Sequence, residues 1–302
     1  WLHHTLTYGS LSTDPVTGTD TIISRNASGG TDDWNQFTID NQLEAKFSTG
    51  AAEHTLLAGL DYQYRSRDYV WGYAAVPSID LNNPQYGTID YGAIVLTPRD
   101  SSDTTARQAG IYLQDQVEIG RLNLLAGIRY DRAQTEIDDR LNAKNYSYDD
   151  GSFTWRAGAL YTFDNGIAPY VSYATSFEPA LYAPAKGEPA FSPTTAEQVE
   201  VGVKYAPEGS GILLTAAYYD LTQNDVMGTT WGSTGPVYNQ IGKIHNRGVE
   251  LSARAEVTNT LSVIAGYSYI DSVVKASIDA GEVGKMPSRI PQHQAALWAT
   301  YT

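Results

Sequence analysis

Connections between strand-like segments alternate short and long from one end of this chain to the other, and few folds accept that rhythm. About twelve segments carry strand patterns, at 1–10, 34–47, 53–66, 105–118, 121–134, 151–163, 167–175, 195–206, 211–223, 244–257, 260–272 and 289–302. The connections 48–52, 119–120, 164–166, 207–210 and 258–259 are tight and rich in Gly, Asn, Pro and Ser. Those at 11–33, 67–104, 135–150, 176–194, 224–243 and 273–288 are long and polar. In an up-and-down antiparallel sheet every second connection falls on the same side. One side is therefore trimmed to turns and the other carries large loops. The expected fold is all-β: a transmembrane antiparallel up-and-down β-barrel with short periplasmic turns and long outer loops.

Alternation within the segments points the same way, because successive side chains on a strand face opposite sides. At 121–131, Leu122, Leu124, Ala126, Ile128 and Tyr130 oppose Asn123, Leu125, Gly127, Arg129 and Asp131. At 53–64, Leu56, Ala58, Leu60, Tyr62 and Tyr64 oppose Leu57, Gly59, Asp61 and Gln63. Val199, Val201, Val203 and Tyr205 oppose Gln198, Glu200, Gly202 and Lys204; Val249, Leu251 and Ala253 oppose Glu250, Ser252 and Arg254. A soluble sandwich shares this alternation. Tyrosines near strand ends (Tyr130, Tyr161, Tyr205, Tyr267, Tyr269, Tyr301) favour the barrel, whose outer face wears aromatic girdles at both interfaces. The segment 211–223 allows either register, since Leu213-Leu214 and Tyr218-Tyr219 are apolar pairs.

Composition removes several classes. A net charge of −14 is opposite to the basic stripe of a nucleic-acid binder. The absence of cysteine excludes disulfides and thiolate metal sites. No run approaches the length of a transmembrane helix, which says nothing against spanning strands. No signal peptide opens the chain, and it begins and ends within strand-like patterns, so a fragment of a longer protein is expected. The expected unit is a single partial barrel domain over 1–302, without a second domain.

Catalytic chemistry has little to stand on. No Gly-x-Ser-x-Gly elbow is present, and no acidic pair is singled out. His3 and His4 are adjacent on a strand and point to opposite faces, while His54, His245 and His293 stand alone; none has zinc-site spacing. No catalytic and no metal-ligating residue is assigned, and an enzyme is not expected.

Recognition in a barrel falls to its outer end. The longest connection opens Arg67-Asp68-Tyr69-Val70-Trp71-Gly72-Tyr73. If the strand continues, Trp71 and Tyr73 share a face: they either extend the girdle or form an aromatic cup facing into the barrel mouth. Tyr182, Phe191, Trp231 and Tyr238 are lesser candidates in other outer connections.

Several segments resemble TonB-dependent siderophore receptors. They include Gln108-Ala109-Gly110-Ile111-Tyr112-Leu113-Gln114-Asp115-Gln116, then the L-x-L-x-x-G-x-R-Y-D run from Leu122 to Asp131, and Phe163-Asp164-Asn165-Gly166-Ile167-Ala168-Pro169-Tyr170 with Ser176-Phe177-Glu178-Pro179. Glu200-Val201-Gly202-Val203-Lys204-Tyr205, Arg247-Gly248-Val249-Glu250-Leu251 and Pro291-Gln292-His293-Gln294-Ala295-Ala296-Leu297-Trp298 follow in the family's order. Within the family, His54 to Tyr62 and Trp71-Gly72-Tyr73 with Leu81-Asn82-Asn83-Pro84 are similar to the ferric hydroxamate branch, which takes ferrichrome and ferrioxamine.

The resemblance implies part of a twenty-two-stranded barrel around an N-terminal plug, with the plug, about six strands before and about four strands after lying outside this sequence. It implies an outer-membrane, multi-pass, monomeric receptor that binds a ferric siderophore, with Trp71 and more weakly Tyr73 in contact. Iron stays chelated by the siderophore, so no cofactor is expected. Implied partners are TonB with ExbB and ExbD through the missing N-terminal region, and outer-membrane lipid and lipopolysaccharide. Arg129, Lys204, Glu200 and Glu250 would face the plug or pair within the lumen. Other readings are a family member with another cargo (a catecholate siderophore, haem, cobalamin or a metal-chelating peptide) or a passive porin. A haem receptor would want a loop histidine, and His245 comes nearest.

Overall fold

Each strand hydrogen-bonds to the next in sequence, so the chain forms one twelve-stranded antiparallel sheet without a crossover. The computed structural model describes residues 2–15, 21–182, 191–232, 235–277 and 279–302, with side chains within 21–90, 92–182, 191–228, 239–277 and 279–302. The strands are β1 (Leu2–Pro15), β2 (Ile22–Thr49), β3 (Ala52–Asp80), β4 (Thr97–Ile119), β5 (Leu122–Asp139) and β6 (Lys144–Tyr161). After them come β7 (Ile167–Glu178), β8 (Thr194–Tyr205), β9 (Ile212–Gly232), β10 (Gly235–Thr258), β11 (Leu261–Ala276) and β12 (His293–Tyr301). A single 3-10 turn, Tyr91–Ala93, is the one helical element among the described residues.

The tight connections fall where the sequence places them, but much of the long ones is strand. The β2–β3 ladder runs unbroken from Thr49↔Ala52 to Arg25↔Val76, through residues whose polarity suggests loops. Likewise β5 and β6 pair as far as Asp139↔Lys144, leaving four residues of the expected loop 135–150 as a turn. Ladder bonds join backbone groups and need no apolar side chains, so hairpins continue above the membrane where alternation has ended.

Burial is inverted relative to a soluble sandwich. Large apolar side chains are exposed on one face: Ile111 at 62 %, Ile128, Tyr130, Phe153, Val201, Tyr218, Leu251 and Leu297 at 74 %. The buried groups sit on the other face and include Gln114, Asp131, Thr135, Asp139, Asn246 and Ser272. An exposed apolar belt of this extent is what a bilayer covers. Register also settles the ambiguous strand: Tyr218 pairs with Val201 and Val249 on the outer face, and Tyr219 lies buried on the inner one opposite Gly248.

The lumen face is built from charges and rings laid flat. Arg129 bridges Asp61 (2.6 and 3.0 Å) and Asp131 (2.7 and 2.6 Å), and Gln108 donates to Asp131 at 2.8 Å. Tyr112 lies across Gly59, where a Cβ would meet the ring at 2.3 Å, and donates to Asp40 at 2.9 Å. Arg129 is thus committed within the barrel wall. Lys204 sits over the Tyr170 ring at 5.3 Å, and Glu200 accepts from Tyr170 at 2.6 Å.

One seam is short. β6 and β7 pair only from Arg156↔Ala174 to Leu160↔Tyr170. Above it the Thr175 hydroxyl takes the place of the ladder, accepting from Trp155 N–H at 2.9 Å. Beyond β7, Ala180 and Phe191 pack on the lumen side with Ile137 and Tyr148.

Candidate functional site

Because the β2–β3 register is continuous, side-chain parity along β3 carries upward from the membrane level. Asp61, which pairs with Arg129 in the lumen, shares its face with Gln63, Arg65, Arg67, Tyr69, Trp71 and Tyr73. Tyr62 and Tyr64 occupy the opposite, girdle-bearing face. Trp71 and Tyr73 therefore stand on the lumen side of the outer mouth, on a strand rather than in a loop. The same spacing adds Tyr69, two residues before Trp71, a position that strand parity alone marks out.

Trp71 stands opposite Gly30 of β2 and Asp100 of β4. A Cβ at Gly30 would lie 1.9 Å from the Val70 carbonyl oxygen and 3.0 Å from the Trp71 Cα, so only glycine lets the strands approach here. The indole is 8 % exposed, and its ring centre lies 6.3 Å from that of Tyr73 with planes tilted by 51°. A register shift just beyond Trp71 gives β4 one extra residue, Arg99. Its guanidinium lies 4.6 Å over the Tyr73 ring and donates to the Tyr73 hydroxyl at 3.1 Å.

The charges beneath are unevenly matched. Arg67 holds Asp32 in a two-pronged contact of 2.7 and 2.8 Å and lies 4.2 Å over the Tyr69 ring. Burial opposes the Arg67 charge, yet the Asp32 hydrogen bond and charge, helped by Tyr182 and Tyr69, hold its pKa above the ordinary value. Asp139 spends its carboxylate on Leu141 N–H (3.1 Å), Asn142 N–H (3.0 Å) and the Asn142 side chain (2.7 Å). Among the described residues, half-buried Asp100 accepts no such hydrogen bond. Burial pushes its carboxyl pKa up; Arg67 opposes the shift and the nearby Asp139 adds to it.

The lesser aromatics separate. Phe191 is buried in the cluster of Ile137, Tyr148 and Ala180, with Tyr146 and Met227 alongside, and Tyr148 donates to the Tyr182 carbonyl at 3.1 Å. Trp231 and Tyr238 are on paired strand backbone in β9 and β10, not in a loop. Their side chains, like those of His3 and His4, lie outside the described residues. His245 bonds Asp220 at 2.9 Å within β9 and β10, on the face of Val249 rather than of the lumen. Among the described residues no three His, Cys, Asp or Glu side chains converge as metal ligands.

Comparison with known proteins gives one consistent picture. The family model for TonB dependent receptor-like β-barrels matches residues 1–302. The chain is similar to the ferrichrome outer membrane transporter/phage receptor of Escherichia coli K12, 39 % identical over 274 residues that make up 88 % of this chain and 36 % of that protein. It is 38 % identical over 283 residues to the ferrioxamine B receptor of Salmonella typhimurium, covering 93 % of this chain and 39 % of the relative. Among solved structures it superposes on the ferric preacinetobactin receptor BauA of Acinetobacter baumannii with a TM-score of 0.76 at 19 % identity, covering 99 % of this chain and 45 % of BauA. The chain thus spans roughly two-fifths of the curated relatives it matches.

Proposed function

The chain belongs to the TonB-dependent receptor β-barrel family, and from that premise we propose that it is the barrel portion of an outer-membrane receptor for a ferric hydroxamate siderophore. The observation that supports this reading is the run of Tyr69, Trp71 and Tyr73 along the lumen face at the outer mouth. A ferric hydroxamate is compact, with an organic shell around the metal. Aromatic faces suit it through area and shape, without protein ligands to the iron. Iron enters and leaves as cargo within the siderophore. The barrel performs no catalysis on it.

Import then follows from the division of labour in such a receptor. The barrel wall supplies the cup and a polar lumen. A plug held in that lumen closes the path until TonB, energised by ExbB and ExbD, pulls on it. Arg129 is saturated by Asp61 and Asp131, so it stiffens the wall, and the lumen carboxylates Glu200 and Glu250 are the better contacts for a plug cation. The exposed aliphatic belt sits in lipid, with lipopolysaccharide around its outer edge, and the receptor works as a monomer. The domain is partial over 1–302, with plug and remaining strands outside it.

The test is a tryptophan-fluorescence titration of the full-length receptor with ferrichrome, ferrioxamine B and a ferric catecholate, beside Trp71→Ala. Selective quenching by a hydroxamate, weakened about tenfold or more by the substitution, supports the reading. Response to the catecholate alone moves the cargo to another class and removes Trp71 from the site.

A further inference from the structure

The cup has an electrical polarity of its own. On one side of the Trp71–Tyr73 pair, Arg99 covers the Tyr73 ring and occupies its hydroxyl. Directly across the ladder from Trp71 stands Asp100. The guanidinium that acts on Asp100, that of Arg67, already donates to Asp32 through two of its nitrogens. The other nearby carboxylate, Asp139, is consumed by the turn it caps. Among the described residues, Asp100 is thus the one acid of this group whose carboxylate accepts no hydrogen bond, and it is half-buried opposite an aromatic side chain.

An aromatic face with an unspent carboxylate at its edge is a site for an organic cation. The ring quadrupole attracts the positive end and the carboxylate accepts its N–H bonds. This matters for hydroxamate cargo because its coordination core carries no net charge: three hydroxamate anions cancel the ferric ion. Charge on the whole complex is then set by what the ligand backbone carries elsewhere. Building on the function proposed above, we propose that Asp100 reads that charge, so that the receptor prefers ferric hydroxamates bearing a free ammonium group over neutral ones. The ammonium lies on the Trp71–Asp100 side, away from the Arg99 guanidinium.

A matched pair of ligands tests this without changing shape or metal: ferrioxamine B, which ends in a primary ammonium, and the same ferric complex with that amine acetylated. Full-length receptor should bind the ammonium form roughly tenfold more tightly or better. Asp100→Asn should collapse the ratio to near one, and Asp100→Glu should retain part of it. Asp103→Asn, which removes a carboxylate 3.2 Å from Arg140, serves as a charge-matched control and should keep the ratio. Equal affinities in the unaltered receptor, or a ratio that survives Asp100→Asn, overturn the proposal while leaving the hydroxamate reading intact. Failure of both ligands to bind an unaltered receptor that binds ferrichrome overturns the charge reading alone, and failure of ferrichrome as well removes the hydroxamate reading with it.

Discussion

Trp71 and Asp100 face each other across the β3–β4 ladder, on the same side as the Arg67–Asp32 pair and one residue before the register shift that introduces Arg99. An aromatic face, a spent ion pair and an unspent carboxylate are thereby gathered at the outer mouth by register alone. Four measurable consequences of the surrounding structure follow from its contacts.

Gly30→Val should damage the cup more than the barrel. Its Cβ would start 1.9 Å from the Val70 carbonyl, so the β2–β3 hairpin must part next to Trp71. The expected cost is about 1–3 kcal/mol. Siderophore titration should show weakened binding, while the folded barrel's mobility in unheated detergent gels is kept.

Arg129→Gln should be the more harmful of two arginine replacements. It strands Asp61 and the nearly buried Asp131, a loss on the order of 3 kcal/mol. Arg121→Gln breaks an exposed pair with Asp164 at a turn, where solvent screens the charges, and should cost far less. Denaturant unfolding in detergent micelles ranks the two; equal losses would contradict the lumen network.

Tyr112 and Gly59 should be coupled. Gly59→Ala pushes into the Tyr112 ring and should cost about 1–2 kcal/mol, and Tyr112→Leu should relieve part of that cost. A double-mutant cycle in which the two effects simply add would mean that the ring does not depend on the glycine.

The outer hairpin turn at 140–143 should loosen in acid. Arg140 grips Asp68 at 2.6 and 3.2 Å, and this hydrogen bond, only partly opposed by burial, holds the Asp68 carboxyl below its ordinary value. A folded pKa below the unfolded one gives stabilisation that is full above about pH 4, the unfolded value, and is lost as pH falls through the folded one. Protection of the Arg140 N–H, which donates to the Ser101 carbonyl at 3.0 Å, should fall relative to intrinsic exchange below pH 4 in the unaltered protein. Asp68→Asn should already exchange fast at neutral pH.

What could be read in advance divides by distance along the chain. Leu122, Leu124 and Ile128 announce their common face because alternation needs only neighbouring residues. Trp71 and Tyr73 share a face for the same reason, and Tyr69 was available by that logic. By contrast, Asp100 lies in the stretch 67–104, whose sequence suggests a loop, because a polar strand above the membrane has no apolar period to reveal it. Phe191, a lesser candidate in an outer connection, is buried against Ile137, Tyr148 and Ala180, a meeting of distant segments that local spacing does not show.

The sequence by itself determined the sheet's class, its up-and-down order and which face meets lipid, because turn lengths and period-two alternation are local properties. Only the tertiary structure decided how far the hairpins rise, which residue stands opposite Trp71, and that Arg129 is saturated while Asp100 is not. Those depend on ladder register and on side chains from different strands meeting in space, which residues far apart in the chain fix together and no local period displays.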